Sequence, residues 1–193
     1  MSKFDRERDA VRKLCSILGY APSAYEDPNS RSVESGGDVK LLFGERAVGL
    51  QVTDYHADEG PTPREGSRLR AEEERKARAA MEAPDPVKAY GHWAPAGYIG
   101  PLSFRIKDKV EKTAKHDGHS FDEMWLLICA QINGWGASAS TMISPDLVRL
   151  NDLDEKVSPM LRCSVFSRAF LLLELDGIVF GWDKGENRWC TKR

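Results

Sequence analysis

Asp38 and Gln51 are the residues from which a chemical reading of this chain starts. They belong to two strand-like stretches, Asp38-Val39-Lys40-Leu41-Leu42-Phe43 and Arg46-Ala47-Val48-Gly49-Leu50-Gln51-Val52-Thr53, separated only by Gly44-Glu45. A Gly-X pair between two such runs suits a two-residue hairpin turn. That turn sets the register: Phe43 opposite Arg46, Leu42 opposite Ala47, Leu41 opposite Val48, Lys40 opposite Gly49, Val39 opposite Leu50 and Asp38 opposite Gln51. Opposed residues share a face, and faces alternate along each strand. One face gathers Val39, Leu41, Phe43, Val48, Leu50 and Val52 and must be buried. The other carries Asp38, Lys40, Gln51 and Thr53, with small Ala47 and Gly49. Directly opposed Cβ atoms lie about 4.5–5.5 Å apart, so a carboxylate and an amide oxygen meet at the open end of the hairpin. Such a pair can share a hard cation, because Mg²⁺ takes one or two protein oxygens and fills its shell with water and substrate phosphate. The same residues also have a structural reading, with Asp38 capping the loop after Gly36-Gly37 and Gln51 a polar residue of an edge strand.

The surrounding elements follow from periodicity. Val11, Leu14, Cys15 and Leu18 recur at helical spacing and predict a helix over 4–19, stopped at Gly19. Residues 21–37 read as a polar loop. Residues 63–83, dense in charge and Ala, predict a mostly solvated helix, and 84–101 a long loop holding Tyr90, His92, Trp93 and Tyr98. A further helix spans 102–116. Residues 123–130 are apolar on both alternating sets and predict a strand buried on both faces. A short helix is expected at 145–151, strands at 169–175 and 177–182, and a last short strand in the polar tail. Early antiparallel strands followed by a buried strand between helices give an α/β fold, a mixed β-sheet flanked by helices, over a single domain of residues 1–193.

Asp38, the hairpin and Gly49-Leu50-Gln51-Val52-Thr53-Asp54 together resemble the centre of the PD-(D/E)XK nuclease superfamily, the restriction-endonuclease-like fold. In that family an acidic residue opens one strand and a short acidic-x-Lys motif lies on the next. Ile106-x-x-Lys109-x-x-Lys112 followed by Phe121-Asp122-Glu123-Met124-Trp125-Leu126-Leu127-Ile128 resembles the family's next helix and central strand, and Phe166 to Leu173 its last core strand. The likeness touches residues 1–182 loosely, and 33–54 and 102–128 more specifically. It implies a restriction-endonuclease-like core, a catalytic Mg²⁺ or Mn²⁺ and a DNA or RNA substrate. Asp38 and Gln51 would hold the metal, with the Val52 carbonyl a further ligand.

Two positions depart from the family pattern. Gln51 stands where the second acid is usual, offering an oxygen without charge, and Thr53 stands where the lysine is usual. Thr53 cannot replace an ammonium that orients water or stabilises charge on phosphate. Three lysines are candidates to substitute. Lys109 and Lys112 border the inner face of the 102–116 helix, formed by Leu102, Ile106, Val110 and Thr113, and Lys40 lies diagonal to Gln51. Arg64, Arg68 and Arg70 precede the acidic run of the 63–83 helix and, with Arg105, are the candidate phosphate contacts. The solvated alternative stands beside each of these: lysines snorkelling, and pairs such as Glu72–Lys76 and Glu74–Arg78 satisfying one another.

Composition narrows the classes. At 193 residues, with 41% hydrophobic and 30% charged residues, the chain has enough apolar material for a core and is neither disordered nor collagen-like. A net charge of -2 means that any nucleic-acid contact must come from a local patch. Cys15, Cys129, Cys163 and Cys190 form no C-x-x-C pair and read as reduced thiols, without disulfide or zinc. His56, His92, His116 and His119 form no H-x-x-x-H pair. His56 could border the Gln51 site, and the aromatic residues of the long loop could stack on bases. No Walker A, G-x-G-x-x-G or G-x-S-x-G motif occurs. A charged N-terminal segment and short apolar runs give a cytoplasmic expectation with no membrane partner; a homodimer or a protein partner is left open. Two functions stay in view: a divalent-metal-dependent nuclease cleaving phosphodiester bonds, and a catalytically inactive nuclease-like module that binds nucleic acid or protein.

Overall fold

In the computed structural model, which describes residues 2–28, 37–55, 75, 98–115, 121–130, 143 and 145–192, the hairpin forms in the expected register as far as Val39, while the expected pairing of Asp38 with Gln51 is not part of the ladder. Strand β2 (Val39–Phe43) pairs antiparallel with β3 (Arg46–Asp54), from Phe43 opposite Arg46 to Val39 opposite Leu50. Gly44 has φ 63° while Glu45 stays at negative φ, the pattern of a type II′ turn that matches the strand twist. Glycine is needed there because a Cβ resists positive φ.

Five more strands complete one seven-stranded sheet whose spatial order follows the chain. They are β1 (Ala24–Glu26), β4 (Glu123–Ala130), β5 (Phe166–Leu173), β6 (Ile178–Asp183) and β7 (Arg188–Lys192). Both β3–β4 and β4–β5 are parallel, and the other neighbours are antiparallel. The fold is thus a mixed sheet with helices on both faces, as the order and periodicity of the elements indicate.

Helix α1 (Lys3–Leu18) opens with a capping box between Ser2 and Asp5 and ends on Gly19 at φ 68°. It lays Val11, Leu14 and Cys15 on the face formed by Val39, Leu41, Val48, Leu50, Trp125, Leu127 and Leu172. The opposite face is covered by α2 (Ile99–Thr113), α3 (Leu150–Lys156) and α4 (Ser158–Arg162). Leu102 and Ile106 of α2 pack there against Met124, Leu126 and Ile128. Both parallel crossovers therefore place their helices on one side, as right-handed connections between strands added in one direction require. In β4 every residue after Glu123 is buried, because each face of this central strand is roofed.

Some boundaries differ from the sequence reading. The 21–37 loop contains β1, whose three residues pair with β2. So short a strand owes its conformation to the neighbouring edge rather than to its own pattern. The helix expected over 102–116 is Ile99–Thr113, and Leu102, Ile106 and Thr113 face the core. The strand expected at 169–175 starts at Phe166, with a register shift near Met124 and Trp125 interrupting the alternation. The short helix expected at 145–151 is a 3-10 turn (Pro145–Leu147) followed by α3 and α4. The 63–83 helix, apart from Arg75, lies outside the described residues, as do Tyr90, His92 and Trp93 of the long loop, the other three histidines, and Arg64, Arg68 and Arg70. Cys15 and Cys129 are buried, Cys190 half-buried and Cys163 exposed, and all four are thiols. Among the described residues no helix is long and apolar enough to cross a membrane.

Gly49 shows how tightly β3 is packed. A methyl added there would fall 2.5 Å from Phe121 Cδ2 and 2.6 Å from Met124 Sδ. Gly49→Ala is therefore expected to destabilise the fold by about 1–3 kcal/mol through overpacking, measured as a lower urea midpoint with unchanged slope. An unchanged midpoint would show that Phe121 and Met124 yield freely.

Candidate active site at the sheet edge

The Asp38 N–H donates to Leu50 O at 2.7 Å, the carbonyl of the residue paired with Val39, so Asp38 stands just outside the regular β2–β3 ladder rather than opposite Gln51. This fixes the Asp38 side chain at the end of the hairpin, where its Oδ2 accepts from the Val52 N–H at 2.9 Å. Its Oδ1 accepts from Lys3 Nζ at 3.3 Å, so α1 reaches the same edge. The Lys3 ammonium also lies 3.2 Å from Glu7 Oε1. One ammonium thus bridges two carboxylates, and the Asp38 charge is the main reason its pKa is raised. Glu7 is pushed above the usual carboxylate range, first by burial and then by Asp38. Sequence reasoning missed both Lys3 and Glu7. Their i,i+4 spacing signals only a helix ion pair, and nothing local says that this helix turn ends over Asp38.

Gln51 and Thr53 alternate with Leu50 and Val52 and so face α2, while Val52 joins the α1-side core. Lys109 donates to Gln51 Oε1 at 3.3 Å. Of the three candidate lysines it alone meets the hairpin's polar residues. Lys112 is turned to the surface and pairs with Asp108 at 2.8 Å. Lys40 leans across to β1 and pairs with Glu26 at 3.0 Å. Lys109 makes no ion pair among the described residues, and its hydrogen-bond partner there is a neutral amide. Burial, opposed by Asp38 and reinforced by Arg105, Lys112 and Lys3, lowers its pKa from 10.5.

In the unfolded chain Lys109 keeps its ordinary pKa, so between the folded value and 10.5 the unfolded state binds more protons. Lys109 therefore makes stability rise with pH through that window and opposes folding at lower pH. NMR of reductively methylated protein should show one lysine titrating below the others. Gln51→Glu, which sets a carboxylate beside the ammonium, should move that resonance back up. A uniform set of lysine titrations would contradict the buried placement.

Of these groups Lys3, Glu7, Thr53 and Lys109, but not Asp38 or Gln51, line a pocket of about 240 Å³ at the carboxyl ends of the parallel strands β3 and β4, the end of an α/β sheet where ligands are usually bound. Its lining mixes charges, with Lys3 and Arg6 of α1 beside the carboxylates and Arg105 and Lys109 contributed by α2. On the α1 side Glu7, Asp54 and Glu174 surround Cys129, whose thiol is pushed up by burial first and then by these three carboxylates. Arg105 and Lys109 of α2, one helical turn apart, and the neutral Thr53 of β3 line the same pocket. Arg105 is the one candidate phosphate contact that falls among the described residues, and it lines this wall.

The donor set bears on a hard cation. Among the described residues no group of three or more His, Cys, Asp or Glu side chains is gathered closely enough to form a cage. The edge instead offers the two carboxylates of Asp38 and Glu7, already bridged by one cationic group, beside the neutral oxygen of Gln51. A hard cation held there would have to displace Lys3 from Asp38 and Glu7 and Lys109 from Gln51. Comparison with known proteins found no matching family model, no matching curated protein and no matching solved structure.

Proposed function

We propose that this chain is a divalent-metal-dependent phosphodiesterase of DNA or RNA, with a restriction-endonuclease-like core and a relocated lysine. The observation carrying this reading is the approach of Lys109 to Gln51, which returns an ammonium to an edge whose β3 residue is Thr53. Asp38 and Gln51 would hold Mg²⁺ or Mn²⁺, with the Val52 carbonyl and Glu7 as further oxygens. The bound metal would supply Lewis-acid stabilisation of the phosphoryl group and an activated water. Asp38 is oriented for this by the Val52 N–H, which fixes one carboxylate oxygen. Lys109, in a partly desolvated position, supplies a charge that acts on phosphate oxygens more strongly than it would in bulk water. Lys3 neutralises the carboxylate pair before a metal arrives.

A second reading, a non-catalytic nuclease-like module, is favoured by a different observation. Both Asp38 oxygens and the Gln51 oxygen already accept hydrogen bonds from the protein. The two readings separate in a cleavage assay on single- and double-stranded DNA and RNA with Mg²⁺ or Mn²⁺. Cleavage that stops with EDTA is the expected result. A folded protein that binds nucleic acid and cleaves none of these substrates would favour the module, and cleavage that survives EDTA would remove the metal mechanism.

A further inference from the structure

We propose that Lys3 is a built-in gate of the sheet edge: its ammonium occupies the carboxylates of Asp38 and Glu7, and it must swing out before a divalent cation can be held there. The inference rests on the phosphodiesterase reading for the purpose of that cation, whereas the competition between ammonium and metal is a property of the carboxylates themselves.

Three observations carry it. The first is occupancy. Lys3 Nζ lies 3.3 Å from Asp38 Oδ1 and 3.2 Å from Glu7 Oε1, so one side chain joins both carboxylates of the edge. The other Asp38 oxygen is tied to the Val52 N–H. A hard cation seeks charged oxygens first. Metal and ammonium therefore draw on the same two carboxylates, and binding one disfavours the other.

The second is the difference between the partners. The side chains of Asp38 and Glu7 are 13% and 14% exposed, whereas that of Lys3 is 72% exposed. The fold holds the carboxylates in place, but a released ammonium swings straight into water. Ion pairs with so solvated a partner are weak and screened by salt. A divalent cation, with twice the charge, is attracted more strongly by the same oxygens. Lys3 also lines the pocket and Asp38 does not, so a cation arriving through the pocket meets the ammonium first. Lys109, which meets Gln51, is less free to leave, because it is half-buried on a helix seated by Leu102 and Ile106.

The third is position within the helix. Lys3 is the first residue of α1, directly after the Ser2 cap. The macrodipole favours negative side chains at that end and disfavours an ammonium. The pairing with Glu7 also runs in the less favourable i,i+4 order, with the lysine N-terminal to the glutamate. Helix stability therefore does not explain a lysine here. Its contact with Asp38, 35 residues further along the chain, does.

The test is Mn²⁺ binding by the full chain, followed through the EPR signal of the free ion and needing no substrate. Lys3→Met should bind Mn²⁺ at least about threefold more tightly than wild type, the gain expected when two exposed ion pairs no longer compete. Lys3→Arg, which keeps the charge, should stay within about twofold of wild type. Adding Asp38→Asn to Lys3→Met should cancel the gain. Lys107→Met, which removes the same charge from an exposed α2 pair with Glu111, should bind as wild type does. In reductively methylated protein, Mg²⁺ should move the Lys3 methyl signal toward that of a solvated lysine and leave the Lys107 signal in place. Lys3→Met binding Mn²⁺ no more tightly than wild type, an equal gain in Lys107→Met, or a Lys3 signal indifferent to Mg²⁺ overturns the gate. Lys3-dependent metal binding without cleavage of any substrate would leave the gate standing and sink the hydrolase reading. Cleavage that stops with EDTA, with Mn²⁺ affinity indifferent to Lys3, would do the reverse.

Discussion

Asp38→Asn is expected to reduce divalent-dependent cleavage by on the order of a hundredfold or more, the scale seen when one preorganised electrostatic group is removed from an active site. The asparagine carbonyl can still accept from the Val52 N–H, so the strand-end geometry set by that 2.9 Å bond survives. What is lost is the negative charge. The remaining oxygens would be the neutral Gln51 amide and Glu7, whose carboxylate is displaced toward its protonated form by burial. A hard cation would then have little to hold it. Asp38→Ala should abolish cleavage as well and also cost stability, about 1–3 kcal/mol, because the part-buried Val52 N–H loses its acceptor. Paired cleavage assays and urea melts on the two variants separate the two effects. Cleavage persisting at the wild-type rate in Asp38→Asn would end the metal-nuclease mechanism.

Gln51→Glu combined with Thr53→Lys should raise cleavage by about tenfold or more, because it restores a second charged ligand and an ammonium on β3. The structure adds a condition. Thr53 is 8% exposed, so the new lysine must extend into the pocket rather than the core. Gln51 already lies 3.3 Å from Lys109, so a carboxylate in its place would pair with that ammonium and draw charge away from the substrate. Lys109→Ala should therefore damage the natural protein more than the restored variant, since in the latter the β3 lysine makes the helix lysine redundant. A thermodynamic cycle on cleavage rates measures this coupling. Equal losses in both backgrounds would mean that Lys109 and residue 53 act independently. If both proteins are folded and inactive and the natural protein binds nucleic acid or a protein partner, the non-catalytic reading gains.

Much of this arrangement was legible before any coordinate. The hairpin register followed from a two-residue turn and strict alternation, because a slip by one residue would expose Val39, Leu41, Val48 and Leu50 together. The burial of β4 on both faces followed from its unbroken apolar run. The choice among lysines did not follow. Lys109 and Lys112 differ by less than one helical turn, and their rotation about α2 relative to β3 decides that one meets Gln51 while the other pairs with Asp108. Lys40 was equally ambiguous, because the strand carrying its partner Glu26 has too few residues to announce itself.

The sequence by itself determined which residues share a strand face, since side-chain alternation is a property of the local backbone and needs no partner to be counted. It therefore placed Gln51 and Thr53 apart from the apolar set, whereas Asp38, just outside the ladder, is placed by its bonds to Leu50, Val52 and Lys3. Only the tertiary structure decided what meets them: Lys3 and Glu7 arriving from α1 on one side of the sheet, Arg105 and Lys109 from α2 on the other. Those meetings depend on where each helix crosses the sheet, which is set by packing Leu14 against one face and Ile106 against the other. Ridges of side chains seat in grooves of their partner surface, and a shift of one residue in that seating carries a different charge to the edge while leaving the sequence pattern unchanged.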